Sequence, residues 1–435
     1  MSASRARLEE IFRSAVAAAD PARALRGVVT RDGDGVLRIV GQPLAAGARL
    51  CVLAVGKASP GMAAALEGIA GDEIAAGLIV AREASGGTRM PLRVAAHPIP
   101  DVRSAAAAEE ALRFVESARP QDVLVVLLSG GASSLLSAPA GALHVDDLTR
   151  TNEALLASGA PIDEVNGVRK HLSRLSGGLL AKRARSRRIE VLVISDVPGD
   201  RLDVIGSGPC AADPSRYADA LAVLERRALR ERVPAAVVAH LEAGARGEVP
   251  ETAKPGDPAL TRVRHTILAS NRTALREAAE SARRIGMRPL MLTEHLAGEA
   301  RRAGRRIGAL ARCARVAAPA CLLAGGETTV TLRGAGRGGR SQELALAAAL
   351  ELVGSRGVEL LAAGTDGSDG PTDAAGAFAD AGTVARAASR GCDAAASLER
   401  NDAYDFFEAA GGLLRTGPTG TNVMDLVLVA LEPDA

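Results

Sequence analysis

An unbroken apolar run that ends in a glycine-rich loop constrains the fold of this chain most strongly. Residues 123–128 read VLVVLL, and residues 129–133 read SGGAS. A short apolar run rich in β-formers predicts a strand that is buried on both faces of a sheet. Paired glycines allow a sharp turn and a close backbone approach to a ligand, and the serines can cap a helix. The stretch therefore predicts a strand, an anion-binding loop and a helix N-terminus.

The same pattern occurs four more times, and this recurrence favours ligand binding over ordinary tight turns. Apolar runs at 50–55, 189–194, 321–324 and 358–363 each end in a loop that combines glycine with charged or hydroxyl side chains. None of these loops has the GxxxxGK[ST] or GxGxxG spacing of the familiar nucleotide-binding motifs. The alternation of strands and helices predicts an α/β protein with mostly parallel sheets.

The length of 435 residues predicts two domains rather than one. The stretch 247–258 is rich in glycine, proline and charge, which makes it the best candidate for a linker. We therefore predict an N-terminal domain over residues 1–246 and a C-terminal domain over residues 259–435, each with an α/β pattern.

Composition argues against several classes of protein. A net charge of +2, 2% aromatic residues and no tryptophan do not favour a partner made of nucleic acid. Five cysteines without CxxC spacing argue against disulfides or a zinc site and favour a reducing cytoplasm. The uncharged stretch 123–143 contains glycines, serines and a proline, so a strand and loop are expected there rather than a membrane helix.

The glycine loops carry cations and acids. Lys57 and Arg340 each follow glycine, where a cation can contact a phosphate or a carboxylate. Arg169 and Lys170 form a further basic pair. The acidic candidates for a general base or a magnesium ligand are Asp196, Asp200, Glu327, Asp366 and Asp369. A single aspartate after a strand is more often a helix cap, but the whole set suits phosphoryl transfer.

A series of short motifs extends over nearly the whole chain. They are VGKA at 55–58, HPIPD at 97–101, SGGAS at 129–133, VRKHLS at 168–173 after Asn166, SDVPGD at 195–200, SGP at 207–209, GGET at 325–328, GGR at 338–340 and GTDGSDGPTD at 364–373. In this order they resemble the glycerate 2-kinases, the type II glycerate kinase family with a MOFRL domain. Ser176, Cys210 and Ser341 depart from the family pattern, which usually has lysine, threonine and asparagine there.

The resemblance implies two α/β domains that flank a deep cleft, with mostly parallel sheets and a Rossmann-like N-terminal domain. It implies ATP and Mg²⁺, and the phosphorylation of D-glycerate at its 2-hydroxyl to give 2-phosphoglycerate. We expect a cytoplasmic monomer or homodimer whose partners are glycerate and a nucleotide, without nucleic acid or membrane.

The resemblance also assigns roles to individual residues. Lys57 and Arg340 are the expected catalytic cations, and Asp196 is the expected base. The expected substrate-binding or nucleotide-binding residues are Ser129, Gly130, Gly131, Ala132, Ser133, Arg169, Lys170, Gly325, Gly326 and Thr365. The expected metal ligands are Glu327, Asp366 and Asp369.

Two other functions remain open at this point. An NAD(P)H-dependent hydroxypyruvate reductase would need a nicotinamide site, and the chain lacks GxGxxG followed by an acid. A sensor of sugar acids or nucleotides without enzymatic activity would leave the lysine, the arginine and the acids unexplained.

Overall fold

The computed structural model describes residues 2–84 and 86–433. These residues form two compact units: one is Pro21–Leu268, and the other combines residues 2–20 with residues 269–433.

The structure divides the chain differently from the predicted domains of residues 1–246 and 259–435. The candidate linker belongs to the Pro21–Leu268 unit, because the N–H of Ala253 donates to the carbonyl of Gly177 at 2.8 Å and Ala253 accepts from Asp213 at 2.7 Å. Glycine and proline in this stretch therefore shape an ordered loop rather than a boundary.

The N-terminal helix α1 (Ala3–Ala18) belongs to the other unit. Its buried residues Leu8, Ile11, Phe12 and Ala15 follow helical spacing and form one apolar face. The second unit is therefore not one continuous segment of the chain. Its first helix comes from the N-terminal end, and its other elements come from residues 269–433.

The described residues of the Pro21–Leu268 unit form nine strands in two sheets and nine further α-helices. The strands are β1 (Val29–Arg31), β2 (Leu37–Ile39), β3 (Gln42–Pro43), β4 (Leu50–Val55), β5 (Ile74–Ala81), β6 (Leu92–Val94), β7 (Val123–Leu128), β8 (Arg188–Ile194) and β9 (Val263–Ala269). The helices are α2 (Pro21–Arg26), α3 (Ser59–Ala70), α4 (Val102–Ser117), α5 (Ala132–Leu135), α6 (Val145–Ala157), α7 (Ile162–His171), α8 (Leu179–Arg183), α9 (Tyr217–Arg226) and α10 (Ala235–Ala245).

The six-stranded sheet of this unit has the order β6-β5-β4-β7-β8-β9, and the pairs from β6 to β8 are parallel. Every residue of β4 and β7 is buried, which confirms the prediction for residues 123–128. If these six strands are renumbered 1 to 6 along the chain, starting with β4, their order in the sheet is 3-2-1-4-5-6. This is the order of doubly wound sheets, in which ligands bind where the strand order reverses. The designation Rossmann-like stays a prediction, since no dinucleotide fingerprint accompanies this order.

In the second unit, residues 269–433 form one mixed sheet of six strands. Its strands are β10 (Arg288–Leu296), β11 (Ala320–Gly326), β12 (Val358–Gly364), β13 (Gly376–Asp380), β14 (Leu413–Leu414) and β15 (Asp425–Leu431). Its remaining helices are α11 (Asn271–Arg284), α12 (Ala300–Cys313), α13 (Arg340–Leu352), α14 (Thr383–Ala388), α15 (Ala394–Glu399) and α16 (Ala403–Ala410).

The expectation of a mostly parallel sheet is wrong for this unit, although the α/β class is confirmed for both. The order is β10-β11-β15-β12-β13-β14, and only β10 and β11 pair in parallel. The last strand, β15, lies antiparallel between β11 and β12. Its first residue therefore lies at the carboxyl ends of its neighbours, which brings an acid to the glycine loops.

No helix in the described part of the chain is both long and apolar enough to span a bilayer.

Candidate functional site

Three glycine loops of the Pro21–Leu268 unit are adjacent because their strands are. Val55 pairs with Leu128, and Leu128 pairs with Val193, so β4, β7 and β8 end side by side. The N–H of Lys57 donates to the carbonyl of Gly130 at 2.9 Å, which ties the first loop to the second. The parallel pairing of β4, β7 and β8 therefore brings the loops that follow them together.

Ser129 joins these loops through its own side chain. Its hydroxyl oxygen accepts a 3.0 Å hydrogen bond from the N–H of Ala58. Gly56 has φ +124°, and any side chain there would collide with Ser129. The expected ligand-binding role of Ser129 stays a prediction, while its observed contact fixes the loops to each other.

The next two glycines bring three functional side chains together. A Cβ at Gly130 would overlap the carboxylate of Asp196, and a Cβ at Gly131 would lie 2.8 Å from the ring of His97 and 3.7 Å from Cγ of Lys57. Gly131 also has φ +87°, which favours glycine. The loop thus holds an acid, an imidazole and a lysine stem against its backbone, and two of these three residues were predicted to be catalytic.

His97 begins the HPIPD motif and was not predicted as a site residue, but the structure adds it to the cluster. Burial and the nearby charges of Lys57 and Arg82 lower the pKa of His97 to about 4. The imidazole is therefore neutral near pH 7, so it can donate or accept one hydrogen bond without adding charge.

A small cavity with both polar and apolar lining residues lies beside this cluster. Ala132 is buried in the short helix α5, and the neighbouring Ser133 lines the cavity. The cavity measures about 40 Å³. Its hydroxyl and amide lining comes from Ser133, Ser137, Thr151, Asn152, Ser173, Ser176 and Ser207.

Arg169 is the one cation in the lining of this cavity. It extends from α7, and burial lowers the pKa of its guanidinium. Within residues 2–84 and 86–433, that guanidinium makes no hydrogen bond or ion pair. A partly buried cation without a counter-ion is costly, which favours an anionic ligand in the cavity.

Lys170, predicted to act with Arg169, lies in a different environment. Its ammonium donates to Asp203 at 3.2 Å and to Asp213 at 3.4 Å, and its side chain is 4% exposed. Successive helical residues project in different directions, so one basic residue faces the cavity while the next enters an internal ion pair. The contacts of Lys170 explain its charge without a ligand.

A second cluster forms in the other unit around Arg340, the first residue of α13. Its Nε and Nη2 donate to the two carboxylate oxygens of Asp425 at 2.5 and 2.9 Å. Its Nη1 donates to Glu327 at 2.5 Å. This fork-shaped pairing fixes the guanidinium plane at the edge of the sheet.

Asp425 was not predicted as a site residue. It pairs with Gly326 on one side and with Gly364 on the other. Burial raises the pKa of its carboxyl group. The signal was an acid at the start of the last apolar run, but the antiparallel direction of that strand was needed to place it.

Asp369 was predicted as a metal ligand, and the structure favours a helix cap instead. Its two carboxylate oxygens accept from the backbone N–H groups of Ser341 and Gln342 at 3.1 and 2.7 Å. Burial, followed by the charge of Asp425, raises its pKa to about 7. Both oxygens satisfy the first turn of α13, so Asp369 positions the helix that begins with Arg340.

Asp366 remains a candidate metal ligand together with Asp425. Its Oδ1 accepts from the N–H and hydroxyl of Ser368 at 3.0 and 3.1 Å. A Cβ at Gly364 would lie 3.4 Å from Oδ1 of Asp366 and 3.5 Å from Oδ1 of Asp425, so the two oxygens approach one point.

The number of carboxylates at this edge of the sheet determines which kind of Mg²⁺ site they can form. Among the residues that the structure describes, no group of three or more His, Cys, Asp or Glu side chains has the arrangement of a metal site. Magnesium in kinases is held by one or two carboxylates together with phosphate oxygens and water. Asp366 and Asp425 therefore fit Mg²⁺ that binds with a nucleotide, and not a site made only of protein ligands.

The remaining predicted nucleotide-binding residues make internal contacts. The hydroxyl of Thr365 donates to the carbonyl of Met424 at 2.6 Å and accepts from the N–H of Val423 at 2.8 Å. A side chain at Gly325 would collide with Asn271, and one at Gly326 with the backbone of Leu296. Nucleotide binding by these three residues stays a prediction.

Two family models match separate parts of the chain, and a relative of known name is similar over nearly all of it. Residues 7–242 match a family model described as a domain of unknown function (DUF4147), and residues 320–425 match the MOFRL family. The chain is 40% identical over 422 residues to a glycerate 2-kinase of Pyrococcus horikoshii, with 95% of this chain and 94% of the relative covered.

Two further similarities bear on function. A protein of Agrobacterium vitis with the provisional name hydroxypyruvate reductase is 41% identical over 428 residues, covering 96% of this chain and 92% of that protein. The crystal structure of a glycerate kinase from Thermotoga maritima superposes with a TM-score of 0.85 at 35% identity, covering 99% of this chain and all of that one.

Proposed function

This chain belongs to the glycerate kinase family that combines the DUF4147 and MOFRL domains, and we propose that it phosphorylates D-glycerate at the 2-hydroxyl with ATP as donor. The products are 2-phosphoglycerate and ADP. Its free cysteines support a cytoplasmic enzyme acting on small molecules, as a monomer or a homodimer.

The observation that carries this proposal is the guanidinium of Arg169 in its hydroxyl-lined cavity. A carboxylate would supply the missing counter-ion and accept two parallel hydrogen bonds from the guanidinium. By the usual requirement of roughly 10–15 Å³ for one water, a volume of about 40 Å³ holds about three waters. That space suits the carboxylate and hydroxyl groups of a small hydroxy acid and excludes a nucleotide.

The loop cluster beside the cavity supplies groups for the chemical step. The 2-hydroxyl oxygen forms a bond to the γ-phosphorus of ATP, the bond from that phosphorus to the bridging oxygen breaks, and ADP leaves. Asp196 accepts the proton of the hydroxyl, while Lys57 stabilises the negative charge on the transferring group. Gly130 and Gly131 allow both side chains to approach the loop backbone.

Arg340 and the acids around it are assigned to the nucleotide. The guanidinium is oriented by Asp425 and Glu327, which leaves its charge in a fixed plane. Asp366 and Asp425 would hold Mg²⁺, which neutralises phosphate charge when it is bound.

We expect Asp366→Asn to raise the Mg²⁺ concentration needed for half-maximal activity by about tenfold or more, because a neutral amide binds a hard cation more weakly. Asp369→Asn is the matched comparison. It should weaken the cap of α13, lowering the melting temperature while leaving the Mg²⁺ requirement near that of the wild type. A Mg²⁺ titration of ADP formation on both variants checks this, and an unchanged half-saturation point in Asp366→Asn would move the metal away from this residue.

The rival reaction is the reduction of hydroxypyruvate by a nicotinamide cofactor. The purified protein should form ADP from ATP and D-glycerate, and phosphorus NMR should identify 2-phosphoglycerate. It should not oxidise NADH or NADPH in the presence of hydroxypyruvate. Formation of 3-phosphoglycerate would refute the regiochemistry, and nicotinamide oxidation without ADP formation would refute the kinase.

We expect Arg169→Leu to raise the KM for D-glycerate by about 10²- to 10³-fold, because a charge-assisted pair contributes roughly 1.5–3 kcal/mol and the fork forms two bonds. The KM for ATP should change far less. The melting temperature should not fall, since the guanidinium loses no partner within the described residues.

The matched control for this variant is Arg150→Leu, which removes one exposed positive charge from the same unit. Its KM for glycerate should stay within about twofold of the wild type, as expected for a screened surface charge. Equal effects in the two variants would assign the change to overall charge and contradict the carboxylate site.

A further inference from the structure

Two buried polar atoms in the Arg169 cavity have no hydrogen-bond partner among the residues that the structure describes. They are the side-chain oxygens Oδ1 of Asn152 and Oγ of Ser207. Ser207 is 1% exposed and has φ +60°, an unfavourable backbone conformation for a residue with a side chain. A strained, buried and unpartnered hydroxyl in a cavity is a feature that folding alone does not explain.

We propose that Asn152 and Ser207 form a hydroxyl-recognition pair that reads the 3-hydroxyl of D-glycerate. The inference rests on the proposed function, since it takes glycerate as the occupant of the cavity. Oδ1 of Asn152 accepts the hydrogen bond from the substrate hydroxyl, and the hydroxyl of Ser207 donates to the oxygen of the same substrate group.

The chemistry of the substrate assigns the 3-hydroxyl rather than the 2-hydroxyl to this pair. The carboxylate is held by Arg169, and the 2-hydroxyl must face the transferring phosphoryl group and its base. The 3-hydroxyl is the remaining polar group, and in a cavity with room for about three waters it needs a buried partner. A site built to bind a hydroxyl discriminates against an analogue without it, because its polar atoms are then left unpaired.

D-Lactate tests this assignment, because it keeps the carboxylate and the 2-hydroxyl and lacks the 3-hydroxyl. Binding of D-glycerate and of D-lactate would be measured by calorimetry on the full-length wild type and on Ser207→Ala and Asn152→Ala. Each variant should bind D-glycerate about threefold to tenfold more weakly, as expected for one lost neutral hydrogen bond. Their affinity for D-lactate should not weaken, so the selectivity for glycerate falls by the same factor.

Ser186→Ala is the matched control. The hydroxyl of Ser186 is also buried and has no partner within the described part of the chain, but Ser186 does not line the cavity. Neither serine loses a hydrogen bond on replacement, so both alanine variants should melt at or above the wild-type temperature. Only Ser207→Ala should lose selectivity for glycerate.

The outcomes separate this inference from the proposed function. Wild-type protein that binds glycerate selectively, but forms no ADP, would refute the kinase and keep the recognition pair. Protein that forms ADP while both cavity variants retain the wild-type selectivity would refute the pair and keep the kinase. A loss of affinity that is equal for glycerate and lactate would also refute the pair, because it would place these atoms at groups common to both acids.

Discussion

Lys57→Ala is expected to lower kcat by about three to five powers of ten, the effect of losing one cation that stabilises the transferring phosphoryl group. Lys57 is exposed and is separated from the buried strand β4 by Gly56 alone, while its stem lies against Gly131. Because no apolar packing is removed from the core, the melting temperature should change little. Rapid-quench and steady-state measurements with saturating ATP and glycerate give kcat, and circular dichroism gives the melting curve.

The position of Lys57 near His97 can also be tested without a measurement of activity. The charge of Lys57 contributes, after burial, to the low pKa of His97. Removing a nearby positive charge makes protonation easier, so the pKa of His97 should rise from about 4 in Lys57→Ala. An NMR titration of the imidazole measures this shift.

Lys182→Ala is the control, since Lys182 lies in the same unit and pairs with Asp257 at 3.1 Å near the surface. Its kcat and the pKa of His97 should match the wild type. If Lys57→Ala kept kcat within tenfold of the wild type, Lys57 would not be a catalytic cation.

The loop cluster of the Pro21–Leu268 unit can be predicted from the sequence, because each loop follows a continuous apolar segment that forms a buried strand. Residues 123–128 are apolar at every position, and such a run is stable only as a strand with both faces covered. In a parallel sheet all strands end on the same edge, so the loops with Lys57 and Asp196 are expected to meet near the glycines at 130 and 131.

The cluster of the second unit is harder to predict because it depends on strand direction. A hydrophobic run at 423–431 indicates a strand, but apolar periodicity is the same for parallel and antiparallel pairing. The direction of β15 decides whether Asp425 lies with Arg340 or at the opposite edge of the sheet. Asp425 was therefore missed, while Arg340 was found from its glycines.

The neighbouring residues Arg169 and Lys170 of α7 show a second limit of prediction from the sequence. Arg169 and Lys170 are equally basic in the sequence, yet only Arg169 reaches the cavity. Lys170 meets Asp203 and Asp213, which are distant in sequence, and tertiary pairing of this kind leaves no signal in local spacing.

Arg340→Ala is expected to lose both turnover and stability. The side chain of Arg340 is 34% exposed, and it binds Asp425, whose side chain is 9% exposed. Removing one partner of a buried pair leaves an uncompensated charge and costs about 3 kcal/mol, the low end of the usual range because Arg340 is partly exposed. The loss of kcat should again reach about three powers of ten or more.

The charge of Arg340 acts on two buried carboxyl groups, Asp425 and Asp369, so the loss of stability should depend on pH. Burial raises the pKa of Asp425 above its value in the unfolded chain, and removal of Arg340 raises it further. A raised folded-state pKa means that the native protein binds the additional proton, so the stability of Arg340→Ala falls as pH rises through that range and recovers at lower pH. Urea unfolding of the wild type and the variant at several pH values between about 4 and 8 measures this difference.

The double variant Arg340→Ala/Asp425→Ala separates folding from catalysis. Without the buried carboxylate, unfolding free energy should recover most of the loss at neutral pH, while kcat remains as low as in Arg340→Ala. Arg386→Ala, which breaks the ion pair with Asp380 in the same unit, should cost less than about 1 kcal/mol and leave kcat unchanged. A double variant as unstable as Arg340→Ala at neutral pH would show that Asp425 is not the group left unpaired, and recovery of kcat would remove Arg340 from the chemical step.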